Sequence, residues 1–275
     1  MSFLTAALLG LVQGITEFLP ISSSGHLALL QNFFHIDEAD VLFDVLLHLG
    51  TLVAVCVAYR RDISGAARGA LGLVGLGRDR GRTTRRNLER RRLAILLLLG
   101  TLPLLLAFPL KGLVVGLYEK PVLVSVLLMG NGGILFFADR LSKGGRLMQD
   151  AKFSHGLLVG LSQVAAVFPG ISRSGATISA GLLCGFRRSF AVRFSFLLSI
   201  PAVLGATLVS FVDAVQTGVT LGALPVYLCG MLTAMVSGYF SIRLLRYVAA
   251  QSNFGGFAYY CWGAGIVSLI LSLIA

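Results

Sequence analysis

Glu17 is the only Asp, Glu, Lys or Arg between Met1 and Ile36, and Arg173 is the only one between Phe153 and Phe186. Both lie in apolar sequence, where an ionisable side chain costs roughly 3 kcal/mol or more and by default marks function. The structural alternative is an ion pair that merely locks two parts of the chain together; such a pair would not need the polar residues crowded around each charge. Gln13 and Glu17 are four residues apart and so share one face of a helix, which Pro20 interrupts. Ser22, Ser23, Ser24, Gly25 and His26 then form a turn and open a second helix. Around Arg173 the order is Pro169, Gly170, Ile171, Ser172, Arg173, Ser174, Gly175, Ala176 and Thr177. A helix that begins inside an apolar region presents free N–H groups and the positive end of its dipole, which together attract an anion. Hydroxyls, amides and a planar guanidinium suit a phosphate or diphosphate. A carboxylate beside that anion would repel it, so Glu17 serves best as a ligand for a divalent cation or as a base that activates a nucleophile. His26 is the other candidate base, against the ordinary alternative of a histidine that is simply hydrogen-bonded.

The elements that must position these residues are membrane helices. Hydrophobic residues make up 56% of the chain and charged residues only 13%, where a soluble domain carries about 25% charged. Six apolar segments are of spanning length, near the 20 residues a hydrocarbon core requires: Val41 to Tyr59, Leu93 to Leu110, Pro121 to Ala138, Phe194 to Val212, Leu224 to Ile242 and Phe254 to Ala275. Lipid-exposed backbone must satisfy its own hydrogen bonds, so these are helices. Two further apolar regions, Ser2 to Leu30 and Phe153 to Phe186, are each broken near the middle by a proline beside a Ser/Gly cluster. The N-terminus lacks the basic stretch of a cleavable signal peptide and reads as mature sequence. Cys56, Cys184, Cys229 and Cys261 stand singly, without zinc or redox spacing. Much of the +11 formal charge falls between Arg60 and Arg92, a block with no interleaved aromatics. Beside membrane spans such a block fixes cytoplasmic orientation or touches anionic lipid, and nucleic acid is not an expected partner.

The two broken regions match at an offset of 150 residues without a gap. Gly10 falls on Gly160, Leu11 on Leu161, Gln13 on Gln163, Phe18 on Phe168, Ile21 on Ile171, Ser22 on Ser172, Ser24 on Ser174 and Gly25 on Gly175, while Pro20 and Pro169 miss by one. The expectation is a single membrane domain, 1–275, of two homologous halves, 1–150 and 151–275. Basic residues flank the second broken region on both sides: Arg140, Lys143, Arg146 and Lys152 before it, Arg187, Arg188 and Arg193 after. Both its ends should therefore be cytoplasmic and the segment re-entrant. The first is followed by Asp37, Glu38 and Asp40, with no Lys or Arg from Met1 to Tyr59, which places its ends outside. Each half then has three full spans, an odd number that inverts the second half relative to the first. The expected fold is an all-α integral membrane protein, an inverted-topology repeat with six full spans and two re-entrant helical hairpins. Asp44 and His48, four apart in an apolar span, should face the bundle interior, either lining the same cavity or bonded to each other. Gly132, Gly133, Gly263 and Gly265 read as helix-packing positions.

The strings Gln13-Gly-Ile-Thr-Glu17-Phe-Leu-Pro-Ile-Ser22-Ser23-Ser24-Gly-His26 and Pro169-Gly-Ile-Ser172-Arg173-Ser174-Gly-Ala-Thr177 resemble the two signature motifs of the bacterial undecaprenyl-diphosphate phosphatase family, also called bacitracin-resistance proteins. Phe43 to Gly50 and Arg193 to Pro201 are similar to further family stretches. The resemblance implies a membrane hydrolase that converts undecaprenyl diphosphate to the monophosphate carrier of cell-wall synthesis, in the bacterial inner membrane, with Mg2+ or Ca2+ as cofactor. Glu17, Ser23, His26 and Arg173 match catalytic positions, Glu17 also as metal ligand. Gln13 stands where the family has Glu or Gln, which weakens any scheme needing two carboxylates there. In the expected mechanism Arg173 and the turn amides grip the diphosphate, and the Ser23 hydroxyl or a water attacks the terminal phosphorus. Gln13, Ser22, Ser24, Ser172, Ser174 and Thr177 would contact the substrate. The partners expected are a polyprenyl diphosphate lipid, membrane lipids and, as an option the sequence leaves open, a second copy in a homodimer. The rival reading is a polyprenyl-phosphate transporter or flippase, because broken helices in an inverted repeat also serve alternating access. A phosphatidate-phosphatase-type site is excluded, since it needs His six residues after a Ser-Arg pair and Ser179 stands there.

Overall fold

Hydrocarbon offers a backbone N–H no partner but its own helix, and the described residues obey that rule. The computed structural model describes residues 1–34, 41–75, 84–142, 144–217, 221–251 and 254–274. Asp37, Glu38, Asp40 and Lys143, used above to argue sidedness, lie outside that set, as does the part of the basic block at 76–83. Among the described residues there is no strand, only an isolated bridge between Arg146 and Phe186.

Among the described residues six helices are long and apolar enough to cross a membrane. In chain order the helices are α1 (Phe3–Phe18), α2 (Ser23–Phe33), α3 (Val41–Ala58), α4 (Arg60–Leu73), α5 (Arg85–Thr101), the short α6 (Lys111–Val115), α7 (Pro121–Leu141), α8 (Phe153–Ala165), α9 (Arg173–Leu183), α10 (Arg188–Thr217), α11 (Leu224–Ala250) and α12 (Gly255–Ile274). The six long ones are α3, α5, α7, α10, α11 and α12, with α5 continued by a 3-10 stretch through Leu102–Leu110. Pro109 within that stretch lacks the N–H that an α-helix would use there. Large side chains point outward from these helices, among them Leu105 at 62% exposed, Phe137 at 63% and Leu273 at 71%. That pattern is the reverse of a soluble protein's and suits a lipid-facing surface.

Several boundaries differ from the sequence reading. Helix α5 begins at Arg85 rather than Leu93, α10 runs from Arg188 to Thr217 rather than from Phe194 to Val212, and α11 extends to Ala250 rather than Ile242, taking in Arg243 and Arg246. Hydropathy marks where the hydrocarbon begins, whereas the straight-chain arginines that precede it are good helix formers and extend the helix into the polar zone. Part of the Arg60 to Arg92 block is likewise a helix and not a loop: α4 packs on α5 so closely that a Cβ on Gly69 would lie 2.3 Å from the Arg90 carbonyl oxygen.

The four helices of the broken regions have 16, 11, 13 and 11 residues. At 1.5 Å per residue each is shorter than a core of about 30 Å. Helix α1 lies against α11, and α8 against α5. Glycines set both contacts: a Cβ on Gly14 would fall 2.0 Å from Ser237 Oγ and 2.4 Å from the Ala234 carbonyl oxygen, and one on Gly160 would fall 2.4 Å from the Gly100 carbonyl oxygen. Small residues let helix backbones touch where lipid gives no hydrophobic drive to association. A Cβ at Gly14 should therefore destabilise the fold by about 1–3 kcal/mol through overpacking. Thermal unfolding of Gly14→Ala in detergent measures this, with Gly133→Ala, which has open space around it, expected to be neutral or slightly stabilising.

Candidate active site

The turns between α1 and α2 and between α8 and α9 meet inside the bundle. A Cβ on Gly25 would lie 3.0 Å from Gly170 Cα, and Gly170 itself has φ +102°. The matching capping bonds recur at the 150-residue offset. Ser22 Oγ accepts from the Gly25 N–H at 3.2 Å, and Ser172 Oγ accepts from the Gly175 N–H at 3.0 Å. Ser22 contacts Ser24 at 3.3 Å, as Ser172 contacts Ser174 at 3.0 Å. The two turns are not identical, however: α1 runs to Phe18, whereas α8 stops at Ala165, three positions earlier in the aligned frame. Pro169 biases the residue before it away from helical angles, and the second turn is longer. The first turn reverses at Ser22, whose φ of +70° is the only positive value at a non-glycine among the described residues. Such a backbone costs about 1–3 kcal/mol and collects at functional sites.

Between these turns stand the two lone charges of the broken regions. Arg173 Nη2 donates to Glu17 Oε1 at 2.6 Å, although 156 residues separate them. The other carboxylate oxygen, Oε2, accepts the Ser23 hydroxyl at 2.6 Å and the Gln13 amide at 3.2 Å. Glu17 is 8% exposed and Gln13 fully buried, while Ser23 and Arg173 are half-buried. Two polar atoms remain without a partner, Gln13 Oε1 and Arg173 Nη1. The N–H groups of Ser23, Ser24, Arg173 and Ser174 open α2 and α9, where helix geometry gives them no carbonyl of their own. A hydroxyl bonded to a carboxylate is the arrangement of a nucleophile with its base. A guanidinium with an open nitrogen beside two helix starts forms a cradle for a tetrahedral anion.

The remaining candidates divide by what their side chains touch. Ser22 and Ser172 are N-caps. Ser174 donates to the Leu19 carbonyl at 3.1 Å and so braces the first turn. The Thr177 hydroxyl is held by the Arg173 carbonyl at 2.8 Å and by Ser195 at 2.6 Å. Neither ring nitrogen of His26 is bonded to Glu17 or Ser23. Its Nδ1 sits 2.8 Å from the Ser22 carbonyl, which can only accept, so Nδ1 carries the proton and Nε2 accepts the Tyr260 hydroxyl at 2.8 Å. His48 Nδ1 likewise donates to the Asp44 carbonyl at 2.8 Å, and its ring lies within electrostatic reach of Glu17.

Three contributors were not found in the sequence. Asn131 on α7 binds both turns at once: its Nδ2 donates to the Pro20 carbonyl at 2.9 Å and its Oδ1 accepts the Ser172 N–H at 3.0 Å. It is the only amide side chain between Pro121 and Ala138, a signal that the adjacent Gly132 and Gly133 drew attention from. Tyr118, from the connection before α7, comes near Ser24, Asp44 and Glu17. Tyr260 reaches His26 from α12. Neither tyrosine carries any local signal in the sequence.

The family model described as Bacitracin resistance protein BacA matches residues 6–267. The chain belongs to that family. It is 43% identical over 267 residues to the undecaprenyl-diphosphatase of Syntrophotalea carbinolica, covering 96% of this chain and 97% of the relative. It is 39% identical over 278 residues to the undecaprenyl-diphosphatase of Methanosphaera stadtmanae, covering 100% and 99%, and 36% identical over 276 residues to that of Alkaliphilus metalliredigens, covering all of both. Family membership and six apolar helices together make this a multi-pass membrane protein.

The pair at the centre of the site has a measurable signature. Arg173→Ala leaves the Glu17 carboxylate buried without its guanidinium and should cost about 3–5 kcal/mol of stability, with a smaller loss for the doubly neutral Glu17→Gln/Arg173→Gln. Unfolding in detergent reads the difference; additive losses would mean the two side chains do not interact.

Proposed function

We propose that the protein hydrolyses undecaprenyl diphosphate to undecaprenyl phosphate and inorganic phosphate, in keeping with its relatives, which are named undecaprenyl-diphosphatase. The observation that carries the reading is the 2.6 Å bond from the Ser23 hydroxyl to Glu17, with Arg173 on the other carboxylate oxygen. In the proposed reaction the terminal phosphate lies against Arg173 Nη1 and the opening N–H groups of α2 and α9. Glu17 takes the Ser23 proton as the Ser23 oxygen attacks the terminal phosphorus. The bond from that phosphorus to the bridging oxygen breaks, and undecaprenyl phosphate leaves with the proton that Glu17 had taken. Glu17, again a carboxylate, takes a proton from the water that attacks the seryl phosphate and passes it to the Ser23 oxygen as inorganic phosphate is released. Direct attack by water on the same phosphorus is the non-covalent variant. His26 acts in this scheme through the turn, holding Ser22 by its carbonyl, as a positioning residue.

A divalent cation fits the site as a shared ligand and not in a protein cage. Among the described residues no group of three or more His, Cys, Asp or Glu could hold a metal. Glu17 and the unpartnered Gln13 Oε1 offer two hard oxygens, and an ion such as Mg2+ binds through one or two such groups with substrate phosphates and water. Bound there, Mg2+ or Ca2+ would neutralise diphosphate charge that the carboxylate otherwise repels.

The same reading makes the two broken regions re-entrant hairpins of an inverted repeat, 1–150 and 151–275, in the bacterial plasma membrane, with the site opening on the face away from the arginine-rich ends. Support comes from the capping bonds repeated at one offset and from exchanged partners: α1 packs on α11, and its counterpart α8 on α5. Glu17, Ser23 and Arg173 come from one chain, so catalysis requires no second copy.

Phosphate release from undecaprenyl diphosphate in detergent separates enzyme from carrier, because no compartments exist there and a flippase releases none. Ser23→Ala, Glu17→Gln and Arg173→Ala should each lower turnover by about 100-fold or more, and a chelator should abolish wild-type activity. Near-native release by Ser23→Ala would remove the covalent route, and by Glu17→Gln the site itself.

A further inference from the structure

A cavity of about 1120 Å3 opens where the ends of α3, α4, α5, α10 and α11 converge. Five arginines line it, Arg60, Arg61, Arg85, Arg193 and Arg246, against two carboxylates, Asp62 and Glu89. Both carboxylates are taken: Asp62 by Arg193 at 2.5 Å and Glu89 by Arg85 at 3.4 Å. Arg60, Arg61 and Arg246 have no carboxylate partner among the described residues, and all three are exposed to whatever enters the cavity. Arg246 rests over the Tyr59 ring, 5.7 Å from its centroid, which holds it at the cavity wall. Like charges gathered on one concavity repel unless an anion joins them, and guanidinium forks match phosphate oxygens.

This cavity is not the site of the Glu17–Arg173 pair. From His48, near Glu17, α3 runs ten further positions to Ala58 at the cavity wall, about 15 Å at helical rise. The intervening space is filled by edge-packed rings, Phe18 on Phe196 at 5.5 Å and Phe196 on Tyr59 at 5.8 Å. The cavity also has apolar walls, Val57, Phe190 and Val192 among them, and it sits at the ends of helices that cross the bilayer. Its volume exceeds what a phosphorylated head group needs.

We propose that this cavity is a second binding site, for a phosphomonoester dianion held by Arg60, Arg61 and Arg246, carried on a membrane lipid or free in solution. The site is independent of the hydrolytic reading, because none of its residues touches the catalytic pair. The test is native mass spectrometry of the detergent-purified protein with dioleoyl phosphatidate, and with dioleoyl phosphatidylcholine as the zwitterionic comparison. Wild type and Glu17→Gln should retain phosphatidate equally and in preference to phosphatidylcholine. Arg61→Gln/Arg246→Gln should weaken phosphatidate binding by about tenfold or more, the loss of charge-assisted contacts. Arg140→Gln/Arg187→Gln, which removes equal charge from outside the cavity, should leave it unchanged. Should the first double variant show a lowered unfolding temperature, Arg246→Gln alone serves, with about threefold weakening expected from one lost contact. Displacement of the lipid by millimolar inorganic phosphate would identify the bare dianion as sufficient; retention would identify the lipid as the ligand. Equal binding by wild type and the cavity variants, or an equal loss in the Arg140/Arg187 control, would overturn the proposal.

Discussion

A carboxylate and a guanidinium, each alone in an apolar stretch, are held 2.6 Å apart in the interior of a helical bundle. Either charge by itself would carry several kcal/mol of desolvation, and only the partner and its surrounding hydrogen bonds offset that cost. The rest of the fold answers to this requirement. Glycines bring α1 onto α11 and α8 onto α5, so that the two turns arrive at one point. Asn131 then ties the turns by both ends of its amide, and Ser174 ties the second turn to the Leu19 carbonyl of the first.

The capping bonds recur at the 150-residue offset, but the charged side chains do not. In the 150-residue frame the position matching Glu17 is Val167, and the position matching Arg173 is Ser23. One half thus supplies the acid and the hydroxyl, the other the cation, and the shared caps at Ser22 and Ser172 keep both helix starts pointed at the same volume. Gln13 and Gln163 show the same divergence: one amide binds Glu17, the other the Gly100 carbonyl.

Much of this was legible in the residues because isolation is a strong signal in apolar sequence. Glu17 and Arg173 stand out by charge alone, and the four-residue spacing puts Gln13 on the face of Glu17, whose carboxylate its amide bonds. Hydropathy found six segments of spanning length, but it could not find where α5 and α10 begin, since arginines outside the hydrocarbon continue the helix. The hydroxyls were legible as a group and not one by one. Ser22, Ser172, Ser174 and Thr177 are spent on caps and braces, which depends on turn geometry that composition does not encode. His26 looked toward the serine cluster in sequence, whereas its ring bonds the Ser22 carbonyl and Tyr260. Contacts from distant parts of the chain, Tyr118 and Tyr260 above all, leave no local trace.

The most direct measurement is an experimental structure with a methylene-bridged analogue of a polyprenyl diphosphate, which cannot be cleaved at the bridging atom. The expected result is a terminal phosphonate within hydrogen-bond reach of both Arg173 and the Ser23 hydroxyl, with Glu17 beside it. A head group bound elsewhere, with Arg173 still engaged by Glu17 alone, would contradict a shared phosphate site and reduce the pair to a structural lock.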